Sequence, residues 1–417
     1  MDAVYWQAPG PEPWASPVPP RSADVVVVGA GLTGLSAALS AARCGRHVVV
    51  VDAGAIGDGA SGRNGGQVLT GFGPDYCQVQ RRFGPEQART LWEQGCRAVE
   101  HVAGLIAREG IACGWHRGGH LAVAPSAAFR NRLAQQAAAL QSAGFAVQWL
   151  TADEVAARLG WPGYRGGLFD PASATCNPYQ LTRGLARAAA RAGVSIVEGA
   201  AAQVVPAQGS YLVSSAKGSI TCQQVLLAVN ARLPAHVPAL RHRLHPARGW
   251  VLATAPLPEP LASELLPGRP AVFEESDRYA YFQLTGDRRL VLGGRVSPGA
   301  APDRARADLQ RLLAAVAPPL TGIDIDFVWT GPLAIAADGW PRWGRTPAGV
   351  HWLGGYTGHG VALAVWLGGE MGRFLATGEP PSWPLGGLPP RALPRGARER
   401  TFPRPGPSSR VFRRASR

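Results

Sequence analysis

Lysine is almost missing from this chain. Of its 417 residues, 42 are Lys or Arg, and Lys217 is the only lysine. A device that needs a lysine amine therefore has one candidate residue. The six cysteines (Cys44, Cys77, Cys96, Cys113, Cys176, Cys222) contain no C-x-x-C pair. That argues against a zinc site and a disulfide framework, and no metal is expected. No apolar run approaches the roughly 20 residues that cross a bilayer. The N-terminus, "MDAVYWQAPGPEPWASPVPP", lacks a basic stretch followed by an apolar one. Neither a membrane partner nor a secretory leader is expected, and the expected location is cytoplasmic.

Charge is scarce as well, at 17% of residues against 46% apolar, the balance of a globular enzyme. The net charge of +14 is unevenly spread, because residues 391–417 hold nine Arg against one Glu. The excess left over the rest of the chain is too small for a nucleic-acid footprint. The length exceeds what one hydrophobic core serves, so at least two domains are expected.

What is present begins with "DVVVVGAGLTGLSAALSAARCGRHVVVVDAG" at 24–54. Asp24–Val28 and Val48–Val51 have the composition of buried strands, and Leu32, Leu35, Ala38 and Leu39 recur at helical spacing. Between the first strand and the helix, Gly29, Gly31 and Gly34 form G-x-G-x-x-G. Gly29 permits the tight turn, Gly31 lets backbone meet a pyrophosphate, and Gly34 lets helix and strand pack closely. The helix N-terminus then offers unpaired N–H groups to phosphate. Asp52 ends the second strand 23 residues after Gly29, where an acidic side chain takes ribose hydroxyls. This favours FAD or NAD over NADP. An NAD domain continues into further βα units, whereas this chain runs into "ASGRNGGQ" at 60–67.

At this point the chain resembles the FAD-dependent D-amino-acid oxidase (DAO) superfamily, nearest to its γ-glutamylputrescine oxidoreductases. The matching stretches are "IGDGASGRNGGQVL" (56–69), "YFQLTGDRRLVLGG" (281–294), "IDFVWTGPLAIAADGWPRWGR" (325–345) and "GGYTGHGV" (354–361). The resemblance implies an α/β fold, with a Rossmann-like FAD-binding domain of GR2 type and an inserted substrate domain of antiparallel sheet plus helices. The expected division is an extended segment over 1–22, FAD-binding parts at 23–85, 165–235 and 325–380, substrate-domain parts at 86–164 and 236–324, and a Pro/Arg-rich disordered tail at 381–417.

The resemblance also implies the site. Gly65 and Gly66 lie against the flavin, while Ser61, Gly62, Arg63, Asn64 and Gln67 supply contacts to pyrophosphate, ribityl and the flavin's polar edge. Gly355, Tyr356, Thr357, Gly358, His359, Gly360 and Val361 form the second half, a helix N-terminus that stabilises negative charge at the flavin edge. Leu32, Thr33, Ala53 and Val204 complete the expected cofactor set. His359 and Tyr281 are the expected catalytic residues. Tyr279 and Tyr281 alternate on one strand and Arg295 closes the next, so one of them faces substrate. Asp338 reads as a turn residue or a general base.

Some relatives attach flavin through a His in the early loop or a Cys near the late turn. Here Asn64, Tyr356 and Thr357 stand there, so the FAD is expected to be non-covalent. Sarcosine-type oxidases place a lysine above the flavin, but Lys217 falls at a hairpin tip. His359 or an Arg then supplies the positive charge, or electrons pass to an acceptor other than oxygen. The expected reaction is oxidation of an amine C–N bond, with γ-glutamylputrescine or a related polyamine derivative as substrate. The alternatives are an amino or imino acid (sarcosine, glycine or a D-amino acid) and an RNA-associated flavoprotein using the Arg-rich tail.

Overall fold

The computed structural model describes residues 3–381, apart from residues 9, 11, 12, 234–239, 241–243, 298 and 337. Two sheets organise it. In the first, Ser22–Val28 is flanked in parallel by Val48–Val51 and Gly218–Leu227. Ser195–Val197 and His351–Gly354 extend the parallel set on either side, and antiparallel Arg342–Arg345 closes one edge. The all-valine runs suit strands covered on both faces. Val25–Val28 pair in register with Val48–Val51. The two strands end level, so Gly29 and Asp52 emerge side by side at their carboxyl ends, where open α/β sheets bind ligands.

Helix Val361–Thr377 lies directly on helix Leu32–Arg43. A Cβ on Gly372 would come 2.1 Å from the Ala37 carbonyl oxygen, and one on Gly368 would come 2.5 Å from that of Thr33. The Ser36 hydroxyl donates to the Val365 carbonyl at 2.6 Å. This close packing brings the late glycine turn to the early one.

The second sheet runs Ile325–Ala336, Leu244–Thr254, Leu290–Gly294, Tyr281–Leu284, Ala271–Glu274, His120–Val123, Gly167–Asp170, Gln148–Leu150. One face meets helix Pro302–Val316 in a core of Leu252, Phe282, Leu292, Leu309 and Leu313. Cross-strand partners on the other face are Trp329, Val251, Gly293, Tyr281 and Phe273, and this face meets the loop at 60–67.

Three elements differ from expectation. Ile325–Ala336 and Gly167–Asp170, assigned from sequence to the FAD-binding part, pair within the second sheet. Alternation marks a strand but not the sheet it joins. The N-terminal segment is not simply extended over the surface. Tyr5–Gln7 forms a 3₁₀ turn, and Val4 and Trp6 are buried against Tyr179, Val251 and Trp329. The tail from residue 382, with the RNA expectation that rests on it, lies outside the described residues. Among the described residues, no helix is long and apolar enough to cross a membrane.

Candidate active site

Gly29 sits at φ +115°, and a Cβ there would lie 2.7 Å from the Ala228 carbonyl oxygen. A Cβ on Gly34 would lie 1.9 Å from the Gly29 oxygen, and one on Gly31 would lie 2.7 Å from Ser61 Oγ. Ser61 Oγ accepts from the Leu32 amide at 3.0 Å, so the early loop closes over the helix N-terminus. Asp52 Oδ2 accepts from the Ala30 amide at 2.6 Å and Oδ1 from the Gly54 amide at 2.8 Å. Burial raises the Asp52 pKa, and these two amides oppose the rise. Ala53 lies exposed between Asp52 and Gly54. A glycine-lined helix N-terminus beside an amide-held carboxylate fits the pyrophosphate and ribose of a dinucleotide.

The side chains of the loop at 60–67 are engaged differently from expectation. Asn64 Nδ2 donates to the carbonyls of Ala60 (3.0 Å) and Ser61 (3.1 Å), and its Oδ1 accepts from the Gly66 amide at 2.9 Å. Arg63 donates to the Asp58 carbonyl and carboxylate, each at 2.9 Å, and to the Thr330 carbonyl at 3.2 Å. Gln67 Nε2 donates to the carbonyls of Phe282 (3.1 Å) and Val272 (3.3 Å), reaching into the second sheet. Trp6 and Trp329 donate to the carbonyls of Asn64 (2.7 Å) and Arg63 (2.9 Å). Gly62 is forced by crowding, since its Cβ would lie 2.3 Å from the Gly57 oxygen. These polar side chains shape the loop, and its glycine backbone is the part that meets Tyr281.

The late turn is built on left-handed backbone at Gly355, Thr357 and Gly358. The Tyr356 hydroxyl and Thr33 Oγ1 share a buried hydrogen bond of 2.7 Å across 323 residues of sequence. Thr357 Oγ1 accepts from the Ala336 amide at 3.1 Å, and Gly360 precedes the helix that starts at Val361. His359 Nε2 lies 2.7 Å from the Thr70 carbonyl. A carbonyl only accepts, so the imidazole carries its proton on Nε2. Burial lowers its pKa, and hydrogen bonds to the carbonyls of Thr70 and Leu69 oppose that fall. Lys217 stands at the tip of the hairpin joining Ser210–Ser215 to Gly218–Leu227. Val204 pairs with Val213 in Gln203–Ala207 and packs on the first sheet's own core.

Tyr281 lies between the halves. A Cβ on Gly65 would come 2.5 Å from its ring, and one on Gly293 would come 2.2 Å from its hydroxyl. Burial raises its pKa, which keeps the phenol protonated. No described residue partners the hydroxyl, and the residue keeps accessible surface. Tyr279 does not share its strand. It precedes Tyr281–Leu284 at φ +55°, with its ring edge-on to Phe273. Asp338 is not a free base, because it is buried in an ion pair with Arg342, with Arg82 at 3.6 Å.

Sequence reasoning missed His120, Asp170 and Thr70. Thr70 Oγ1 and Ser173 Oγ donate to Asp170 Oδ2 at 2.6 and 2.7 Å. His120 is the cross-strand partner of Asp170, and burial takes its pKa down to about 4. The only trace in sequence is a histidine at the head of "HLAV", which could equally be a core residue.

Comparison with known proteins agrees with this geometry. The DAO family, described as FAD dependent oxidoreductase, matches residues 24–373. The γ-glutamylputrescine oxidoreductase of Escherichia coli K12 is 34% identical over 379 residues, covering 87% of this chain and 88% of that protein. A probable oxidoreductase, OrdL, of Haemophilus influenzae is 30% identical over 360 residues, covering 85% and 82%. The glycine oxidase structure from Geobacillus kaustophilus superposes with a TM-score of 0.74 at 22% identity, covering 88% of this chain and 97% of that one. The L-proline dehydrogenase structure from P. horikoshii superposes with a TM-score of 0.72 at 18% identity, covering 87% and 95%. These two establish the shared fold. Glycine turn, acidic strand end, second sheet and near full-length match together make this chain a member of the DAO family of FAD-dependent oxidoreductases.

Proposed function

We propose that the protein oxidises the C–N bond of an amine, with γ-glutamylputrescine or a related mono-capped polyamine as substrate, and that its FAD is held non-covalently. The observation that carries this reading is Tyr281, a neutral phenol with an unpartnered hydroxyl, set against Gly65 on the face of the second sheet. The 34% identity to the E. coli enzyme supports the substrate class.

FAD supplies a hydride acceptor when bound. The amides at the start of helix Leu32–Arg43 would hold its pyrophosphate, and Asp52 would accept from ribose hydroxyls. Asn64, Arg63 and Gln67 hold the glycine backbone of 65–66 in place to receive the ring. The N-terminus of helix Val361–Thr377, set by Gly360, would stabilise negative charge on the flavin edge. A desolvated cavity disfavours the ammonium form, leaving the amine nitrogen with its lone pair free. The Tyr281 hydroxyl can then donate to or accept from that nitrogen and fix the carbon beside it. His359 holds Thr70, and through it the Asp170 cluster, as a positioning residue. The imine product hydrolyses to an aldehyde, and electrons leave to oxygen or another acceptor. Non-covalent attachment follows from Asn64, Tyr356 and Thr357 at the positions where some relatives carry a linking residue.

The test is anaerobic mixing of the yellow, FAD-loaded protein with γ-glutamylputrescine, putrescine, sarcosine and D-alanine in turn. Loss of flavin absorbance with γ-glutamylputrescine, and much less with the amino acids, is expected. Loss with sarcosine or D-alanine alone transfers the assignment to amino-acid oxidation. Loss with none refutes it. Acid precipitation should release all the FAD.

A further inference from the structure

Arg295 stands out on the substrate sheet. It follows strand Leu290–Gly294, and its amide donates to the Arg278 carbonyl at 3.0 Å. A Cβ on Gly294 would meet Leu312 of helix Pro302–Val316, whereas one on Gly293 would meet Tyr281. Strand side chains alternate, so Arg295 shares the Gly293 and Tyr281 face, about two residues or roughly 7 Å farther along. Its Nε and Nη2 are buried without an acceptor. Among the described residues none accepts from its third nitrogen, and no carboxylate forms an ion pair with it. Between residues 3 and 381, the one acidic residue outside the described set is Glu12, in the N-terminal segment.

Its neighbours do not neutralise it. Glu275 is answered by Arg132 in an ion pair. Tyr279 feels both Glu275 and Arg295, and burial first, then Glu275, push its phenol up to about 12. Glu275, its partner Arg132 and Arg295 therefore sum to one positive charge. A guanidinium buried without an anion is costly unless a ligand supplies one.

We propose that Arg295 is the specificity residue of the active site, binding a carboxylate carried by the substrate at the end remote from the reacting amine. This rests on the reading of the site as one for amine oxidation, and it narrows the substrate class to amines with a distal anionic group. A carboxylate matches the planar fork of the guanidinium.

The test compares γ-glutamylputrescine with N-acetylputrescine, which keeps the amide and the butylamine but lacks the carboxylate. In wild type the first should have the lower KM. In Arg295→Gln the ratio of the two KM values should collapse by on the order of 10- to 100-fold, the range for losing a charged hydrogen bond. Arg295→Lys should recover part of it. An unchanged ratio with both variants FAD-loaded overturns the proposal. A separate arm titrates wild type with glutarate and with uncharged glutaramide, read by perturbation of the flavin spectrum. Saturable binding of glutarate alone, weakened in Arg295→Gln, supports the anion site even if no amine is oxidised. Equal responses to the two probes, or none, overturn it.

Discussion

The hydrogen bond between Thr33 and Tyr356 ties the first turn of one helix to the turn before another, and it can be measured by a double-mutant cycle. Both residues are 6% exposed, and their oxygens are 2.7 Å apart. Thr33→Val keeps the shape and removes the hydroxyl. Tyr356→Phe removes the other. Each single change strands a buried hydroxyl, which costs about 1–3 kcal/mol. The double variant strands neither, so its loss should fall short of the sum by about 1 kcal/mol or more. Urea unfolding of the FAD-free protein reads the stability term. The same bond holds the helix N-terminus against the late turn, so each single variant should also bind FAD several-fold more weakly. If the two changes add within about 0.3–0.5 kcal/mol, and FAD affinity does not move, the two glycine segments are not coupled through this contact and the reasoning fails.

Asn64→Asp places a carboxylate against the carbonyls of Ala60 and Ser61 in place of a donor; FAD affinity, followed by fluorescence titration, should drop about tenfold or more. Gly372→Ala drives a methyl to 2.1 Å from the Ala37 carbonyl, and urea unfolding should show a loss of roughly 1–3 kcal/mol or more. His351 is buried with its ring edge-on to Phe374, and burial, then Arg345, lower its pKa to about 4. The unfolded chain takes up that proton below its ordinary value near 6.5, so the stability this group allows is complete above pH 6.5 and lost as pH falls toward 4. His351→Leu should remove that slope, up to about 3 kcal/mol, from the pH dependence of unfolding.

The early glycine turn was legible because its requirements are local: a strand, a left-handed residue, a helix N-terminus and a carboxylate one strand away. The side chains of the loop at 60–67 were expected on the cofactor, whereas in the structure they hydrogen-bond to the protein itself. Their partners include Val272, Phe282 and Thr330, more than 200 residues away, and no local pattern announces them. A shorter separation, 100 residues between Thr70 and Asp170, hid the cluster of Thr70, His120 and Asp170, which forms only where two strands of the second sheet meet a loop. Trp6 looked like part of an extended segment over residues 1–22, yet its indole donates to the Asn64 carbonyl. Tyr281 was named from its alternation with Tyr279 on one strand, but Tyr279 lies before that strand. Strand membership was the weakest inference, since Ile325–Ala336 carries alternation that either sheet could accept.

The most direct measurement of C–N oxidation uses γ-glutamylputrescine carrying two deuterium atoms on the carbon beside its terminal amine. The FAD-loaded protein is mixed with it anaerobically, and both flavin absorbance and the mass of the product are followed. The expected result is slower bleaching than with the unlabelled amine, together with an aldehyde that retains one deuterium. Bleaching without aldehyde, or an aldehyde that retains both deuterium atoms, would place the oxidised bond elsewhere and contradict amine oxidation at this site.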